Sequence, residues 1–245
     1  MELSKLYKKG RYISRSLRHP YCAAVIVAAG QGTRMAGIDK IMTKLGGMPV
    51  ICRTLEAFDH NEMVDEIVVV SRQDLLEPIS ELCAAYPKVR IVVPGGASRL
   101  ESVRAGVAAV SDQTKLIAVH DGARPLVSDD VISNTIAKAA KFGAAAPAVR
   151  VKDTIKVSGS GAVEVTPDRR TLFAVQTPQV FDRDVLTVAL QNAADRRLEV
   201  TDDCSCVEAI GMKVQLTDGS EENIKITTPL DLDLAELILG KRSLL

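Results

Sequence analysis

The chain has 245 residues, 47% hydrophobic and 25% charged, which suits one sizeable globular α/β domain with a large buried core. Aromatics make up only 3% and tryptophan is absent, so a base-stacking nucleic-acid platform is not expected. The formal net charge of zero hides an asymmetry: residues 1–19 carry Lys5, Lys8, Lys9, Arg11, Arg15 and Arg18 against Glu2 alone, leaving the remainder net acidic, the opposite of a nucleic-acid binder.

Residues 1–20 read as a basic N-terminal extension, followed by a single domain over 21–245. The extension lacks the apolar stretch of a signal peptide. It has the Arg-containing, acid-poor character of a transit segment or of a segment lying on an anionic surface; the ordinary behaviour of termini favours a loosely docked tail. No apolar run approaches the length that crosses a bilayer, so no membrane partner is expected. The five cysteines (Cys22, Cys52, Cys83, Cys204, Cys206) form no C-x-x-C pair and no disulfide-scaffold spacing. They read as reduced, mostly buried thiols of a cytoplasmic protein.

Strands are expected at Ala23–Val27, Glu66–Val70, Val89–Val93, Leu116–Val119 and Ala144–Val149. Helices are expected near Pro49–Asp59, Gln73–Ala85, Arg99–Val110 and Asp129–Phe142. The first four strands are continuous apolar runs, as a parallel sheet covered on both faces requires. Right-handed crossovers then predict an α/β, doubly wound, mostly parallel sheet in three layers. After Arg150 the pattern changes: Val151–Val165 alternates around Ser158-Gly159-Ser160-Gly161, which predicts a protruding β-hairpin at about 150–166 whose edges need a partner. Helices return at Arg183–Ala193 and Leu230–Leu239, with a strand at Lys213–Leu216 between them. At 245 residues a second enzyme domain is not expected.

The ligand crevice of such a sheet lies at the carboxyl ends of its strands. Gly30, Gly95, Gly96, Asp121 and Arg124 all fall there. The segment VIVAAGQGTRMAGIDK runs from a strand into a turn with Gly30 and Gly32, then Arg34 and Lys40. Bare main-chain N–H groups can wrap a polyphosphate there, and the two cations answer its charge, which points to an enzyme acting on a nucleoside triphosphate. A dinucleotide fingerprint would need a third glycine where Met35 stands, and no Walker loop is present. A tight βα turn without ligand is the bland alternative; Arg34 and Lys40 weigh against it. Asp121, directly after its strand, suits Mg²⁺, a ribose hydroxyl or a turn cap. Gly95-Gly96-Ala97-Ser98-Arg99, with Ser102 one turn on, can read a base edge, although Ser98 is equally an N-cap.

Together with Asp153-Thr154-Ile155-Lys156, Asp168-Arg169, Gln176-Thr177-Pro178-Gln179, Thr201-Asp202-Asp203 and Asn223-Ile224-Lys225, these blocks resemble the 2-C-methyl-D-erythritol 4-phosphate cytidylyltransferases of the non-mevalonate isoprenoid pathway. The resemblance covers about residues 22–240. It implies a Rossmann-like nucleotidyltransferase fold, CTP and a sugar-alcohol phosphate as substrates, Mg²⁺ or another divalent cation at Asp121, and a homodimer joined through the hairpin arm. By position it implies that Arg34 and Lys40 stabilise the transition state, and that Arg169 and Lys225 orient the acceptor, Arg169 in the neighbouring subunit's site. Ala28, Ala29, Gly30, Gly32, Gly96, Ala97, Ser102 and Asp121 would bind nucleotide; Arg124, Thr154, Thr177 and Thr201 would bind the acceptor.

Two departures from the family pattern stand out. Where the family usually has Pro-Lys-Gln, this chain has Asp39-Lys40-Ile41 with one residue fewer after Met35, which brings Lys44 forward as a stand-in for Lys40. Ala97 replaces an often acidic residue. Two other functions are compatible with the residues: a cytidylyltransferase for a pentitol phosphate such as ribitol 5-phosphate, and a non-catalytic nucleotide-binding protein.

Overall fold

The computed structural model describes residues 19–30 and 39–242. In chain order they form β1 (Cys22–Ala28), a short antiparallel pair β2 (Lys44–Leu45) and β3 (Met48–Pro49), α1 (Val50–His60), β4 (Glu66–Ser71), α2 (Leu76–Cys83), β5 (Val89–Pro94) and α3 (Arg99–Ala108). Then follow β6 (Leu116–Asp121), α4 (Asp129–Phe142), β7 (Ala144–Arg150), β8 (Phe173–Val175), β9 (Gln179–Asp182), α5 (Arg183–Asp195), α6 (Asp203–Glu208), β10 (Gln215–Asp218) and α7 (Pro229–Arg242).

The main sheet runs β10-β7-β9-β6-β1-β4-β5, with β8 on β7. β5, β4, β1 and β6 are mutually parallel, as their apolar runs predicted. Alternate residues of β1 feed two cores: Cys22, Ala24, Ile26 and Ala28 pack under α1 and α4, while Ala23 and Val25 pack under α3 and α5. This period-two division makes the three layers. A third cluster of Leu45, Val50, Leu126, Ile226 and Ala235 seats α7 beside the β2–β3 turn.

Four expectations need correcting. β5 is not covered on both faces: it is the edge strand, and Ile91 is 43% exposed. β9, unforeseen, inserts antiparallel between β6 and β7. The last strand lies two residues later than expected, at Gln215–Asp218. The Val151–Val165 excursion reverses on itself through one antiparallel bridge, Val157 to Val165, rather than a continuous ladder. Polar side chains supplement it: Gly159 N–H donates to Glu164 Oε1 at 2.7 Å and Gly161 N–H to Ser158 Oγ at 3.0 Å.

All five cysteines are buried free thiols. Among the described residues no helix is long and apolar enough to cross a membrane. Most of the basic extension lies outside the described residues.

Candidate active site

The carboxyl ends of β1, β5 and β6 surround a cleft of about 350 Å³. Ala28, Ala29 and Gly30 leave β1 along one wall, Gly96, Ala97 and Ser102 form a second, and Asp121 with Lys225 closes the floor. Lys40 also lines the cleft. Lys44 does not: it is exposed at the start of β2. Arg34 and Gly32 lie outside the described residues.

Lys40 owes its position to its neighbour. Asp39 Oδ1 accepts the Ile41 and Met42 N–H groups at 3.0 and 3.3 Å, while Oδ2 meets Arg72 Nη2 at 2.7 Å. The acidic residue standing where a proline was anticipated therefore pins the lysine's turn to the end of β4.

The β5–α3 turn is fixed from within. Ser102 Oγ accepts the Gly96 N–H at 3.1 Å and donates to Ser98 O at 2.9 Å, and Ser98 Oγ caps α3 by accepting the Glu101 N–H at 3.1 Å. Gly95 is required by close approach, since a Cβ there would collide with the Ala29 side chain and with Ser102 Oγ. The Ala97 N–H donates to Glu101 Oε2 at 2.7 Å, so a carboxylate still reaches position 97 although its own side chain is a methyl group.

Asp121 is the electrostatic centre. Lys225 Nζ lies 2.9 Å from its Oδ2, and Arg124 Nε lies 3.4 Å from the same oxygen. Burial alone would raise this carboxyl, but Lys225 and Arg124 outweigh it and hold it well below the usual carboxylate range. Arg124 is itself fixed by donating from Nη1 to Asn223 O at 2.7 Å.

Behind Asp121 sits a residue for which the sequence reading had no role. His120 is fully buried, its ring 4.7 Å from that of Phe58. Its Nε2 lies 3.2 Å from Arg124 O, which can only accept, so Nε2 carries the proton. Burial lowers the imidazole to a pKa of about 3, so it is neutral and Nδ1 is an acceptor. The Thr177 hydroxyl therefore donates to Nδ1 at 3.0 Å and accepts the Asp121 N–H at 3.1 Å. Asn223 Nδ2 in turn donates to Thr177 O at 2.9 Å. Thr177, expected at the acceptor, is buried with its hydroxyl engaged behind the carboxylate.

Of the residues expected around the acceptor, Arg124, Thr154, Arg169, Thr177 and Thr201 do not line the cleft. Thr154 lies on the exposed arm, and Arg169, in the short turn just beyond it, is exposed and donates from Nη1 back to Lys152 O at 3.1 Å. Thr201 is exposed just before α6, its hydroxyl 3.4 Å from that of Ser205. A second unforeseen contact joins that region to the cleft: Arg99, on the cleft wall, makes a two-pronged ion pair with Asp203 at 2.9 and 2.6 Å.

The profile of the 2-C-methyl-D-erythritol 4-phosphate cytidylyltransferase family matches residues 22–241. The chain belongs to this family. Relatives bearing that name include those of Desulforamulus reducens, 43% identical over 90% of this chain and 96% of its own length, and Symbiobacterium thermophilum, 45% identical over 90% and 94%. The crystal structure of 4-diphosphocytidyl-2C-methyl-D-erythritol synthase from Anaerococcus prevotii superposes with a TM-score of 0.82 at 32% identity, covering 90% of this chain and 96% of that one. The Thermus thermophilus cytidylyltransferase gives a TM-score of 0.74 at 32% identity, covering 88% and 98%. This cytidylyltransferase family member is thus a nucleotidyltransferase, and its cleft lies at the strand ends where the glycines, Asp121 and Lys225 converge.

Proposed function

We propose that the protein transfers the cytidylyl group of CTP to 2-C-methyl-D-erythritol 4-phosphate, giving 4-diphosphocytidyl-2-C-methyl-D-erythritol and pyrophosphate. One observation carries this reading: in a chain of this family, Asp121 and Lys225 pair at the floor of a cleft whose walls are Ala28–Gly30 and the Gly96–Ser102 turn. An acceptor phosphate oxygen attacks the α-phosphorus as the bond to the β-phosphate oxygen breaks. Both reactants are anions, so the barrier to lower is their mutual repulsion. Lys40 and Lys225 supply fixed positive charge around the α-phosphate, together with Arg34 as the family resemblance implies. The acceptor phosphate is already ionised at neutral pH, so no side chain has to remove a proton.

Nucleotidyltransferases generally use a divalent cation. Asp121 fits one: its carboxylate is ionised, hard and on the cleft floor. No group of three acidic, histidine or cysteine ligands occurs among the described residues, so the other positions would be filled by phosphate and water oxygens. When bound, the ion would share the phosphates' negative charge; Mg²⁺ is the ion we assign.

Arg124 and Thr177 hold Asp121 in place, while Thr154, Arg169 and Thr201 are assigned to the acceptor. Since Thr154 sits on the arm and Arg169 at its base, we assign a homodimer in which the arm crosses to the partner. Five buried free thiols suit a cytoplasmic enzyme. The test is to incubate the protein with CTP, a divalent cation and either methylerythritol phosphate or ribitol 5-phosphate, following pyrophosphate and the cytidylyl product by mass spectrometry. Turnover confined to methylerythritol phosphate is expected. Preference for the pentitol phosphate would overturn the acceptor assignment, and nucleotide binding without turnover of either would overturn the activity.

A further inference from the structure

Arg99 opens α3 immediately after the Gly95–Ser98 turn assigned to the nucleotide, and Asp203 opens α6 two residues after Thr201. The pair is anchored firmly on the α6 side. Gln179 Oε1, at the start of β9, accepts both the Asp203 and Cys204 N–H groups at 3.0 Å, while Gln179 Nε2 donates to Asp202 Oδ2 at 2.8 Å. Asp202 Oδ1 then accepts the Ser205 N–H at 2.9 Å and caps the helix. The Asp203 side chain is 1% exposed and that of Arg99 32%, so the carboxylate is dry while the guanidinium borders the cleft.

A buried ion pair is a poor device for stability alone, because an apolar pair of similar volume does as well or better. What the fork provides is direction: two parallel bonds fix the guanidinium plane relative to the carboxylate. Both Nη atoms are committed to Asp203, and its charge offsets that of Arg99. The contribution of Arg99 to substrate binding that the fork supports is therefore one of orientation.

We propose that Arg99 is a positioning residue whose fork to Asp203 couples the two substrate subsites, so that nucleotide held by the Gly96–Ser102 turn strengthens acceptor binding at the Thr201 segment. The proposal rests on the function assigned above. Coupling of this kind is reciprocal, so acceptor must tighten nucleotide by the same factor.

The experiment measures the dissociation constant of α,β-methylene-CTP by calorimetry with and without saturating methylerythritol phosphate. The wild type is expected to show about fivefold tightening or more. In Arg99→Lys, which keeps the charge and loses the fork, and in Arg99→Met/Asp203→Leu, which keeps the packed volume, the factor should fall below about twofold. A structural role alone would shift both constants and leave their ratio intact. Arg99→Lys leaves an ammonium beside Asp203, so a folded variant is available even if the apolar pair fails. Undiminished coupling in either folded variant overturns the proposal, as does a wild type that turns over both substrates without coupling. A wild type that turns over neither acceptor overturns the functional reading instead.

Discussion

Lys225 Nζ and Asp121 Oδ2 stand 2.9 Å apart, joining the loop before the last helix to the end of the central strand β6. The lysine side chain is 37% exposed and that of the aspartate 12%, so the pair shows its cation to the cleft over a carboxylate that stays ionised. The surrounding groups serve this geometry: Arg124 shares the carboxylate, and Thr177 holds the strand end from behind.

Lys225→Met should therefore lower kcat/KM for the acceptor by about a hundredfold, equivalent to about 3 kcal/mol of transition-state stabilisation. Arg124 keeps Asp121 partnered, so the variant should fold. Steady-state pyrophosphate release checks the first statement and circular dichroism the second. A loss under about threefold would remove Lys225 from its assigned role.

Lys40→Ala should fall in the same range, about a hundredfold, whereas Lys44→Ala should retain near-wild-type turnover. The contrast rests on position, since Lys40 lines the cleft and Lys44 is exposed beside it on β2. The same assay applied to both variants decides which lysine answers the phosphates; the reverse ranking would reassign the role.

Thr177→Val tests the buried polar frame. Valine keeps the shape but leaves His120 Nδ1 and the Asp121 N–H without partners in a dry site. Two unsatisfied groups should cost about 2–4 kcal/mol, read as a lower urea midpoint at unchanged slope. Turnover should fall as well, because Asp121 loses its rear support. A stability change under about 0.5 kcal/mol would show that the hydroxyl is dispensable.

Much of this was legible in the chain. β1, β4 and β6 announce themselves by unbroken apolar runs, and a parallel sheet then fixes which loops meet. Of the five residues that rule put at the rim, Gly30, Gly96 and Asp121 line the cleft, while Gly95 and Arg124 stand behind it. β9 was not legible: Gln179–Asp182 is four residues long, directly follows Pro178 and offers only Val180 and Phe181 as apolar signal. Its place in the sheet comes from pairing with distant β6. Arg99 and Asp203 are 104 positions apart, and nothing local marks either as half of a pair. His120 reads as one more residue of a buried strand until Arg124 and Thr177 are seen on its two nitrogens. The single bridge of the arm shows the limit of alternation, which signals a chain reversal without specifying how many rungs close.

The start of α7 carries a pH-dependent element. Asp231 Oδ2 accepts from the Thr227 and Thr228 N–H groups, each at 2.8 Å, and from Thr227 Oγ1 at 2.7 Å. Burial pushes its carboxyl up, but these bonds outweigh it and hold the group below the usual range. A depressed folded pKa means that the stabilisation is complete above the unfolded value of about 3.9 and is lost as pH falls through the folded one. Asp231→Ala should therefore cost about 1 kcal/mol at pH 7 and progressively less as pH drops below about 4. Urea midpoints at pH 7 and pH 3 check this; an equal deficit at both would exclude the ionised cap.

The arm offers the test of assembly. Val157, Val163 and Val165 are 44, 59 and 53% exposed, and Phe173 and Val175 on the edge strand β8 are 38 and 39% exposed. That concentration of apolar side chains around a hairpin closed by one bridge is costly to leave in water. Arg169, just beyond the arm and bonded back to Lys152 O, lies outside its own chain's cleft, so docking of the arm on a second copy would cover the valines and deliver the guanidinium together. Val163→Asp/Val165→Asp should convert a dimer to a folded monomer in size-exclusion chromatography with light scattering. Acceptor KM should rise in parallel, while the affinity for α,β-methylene-CTP alone should change little, because the walls assigned to the nucleotide, Ala28–Gly30 and Gly96–Ser102, belong to one chain. A wild type that elutes as a monomer and turns over normally, or a double variant that remains dimeric, would separate the arm from assembly.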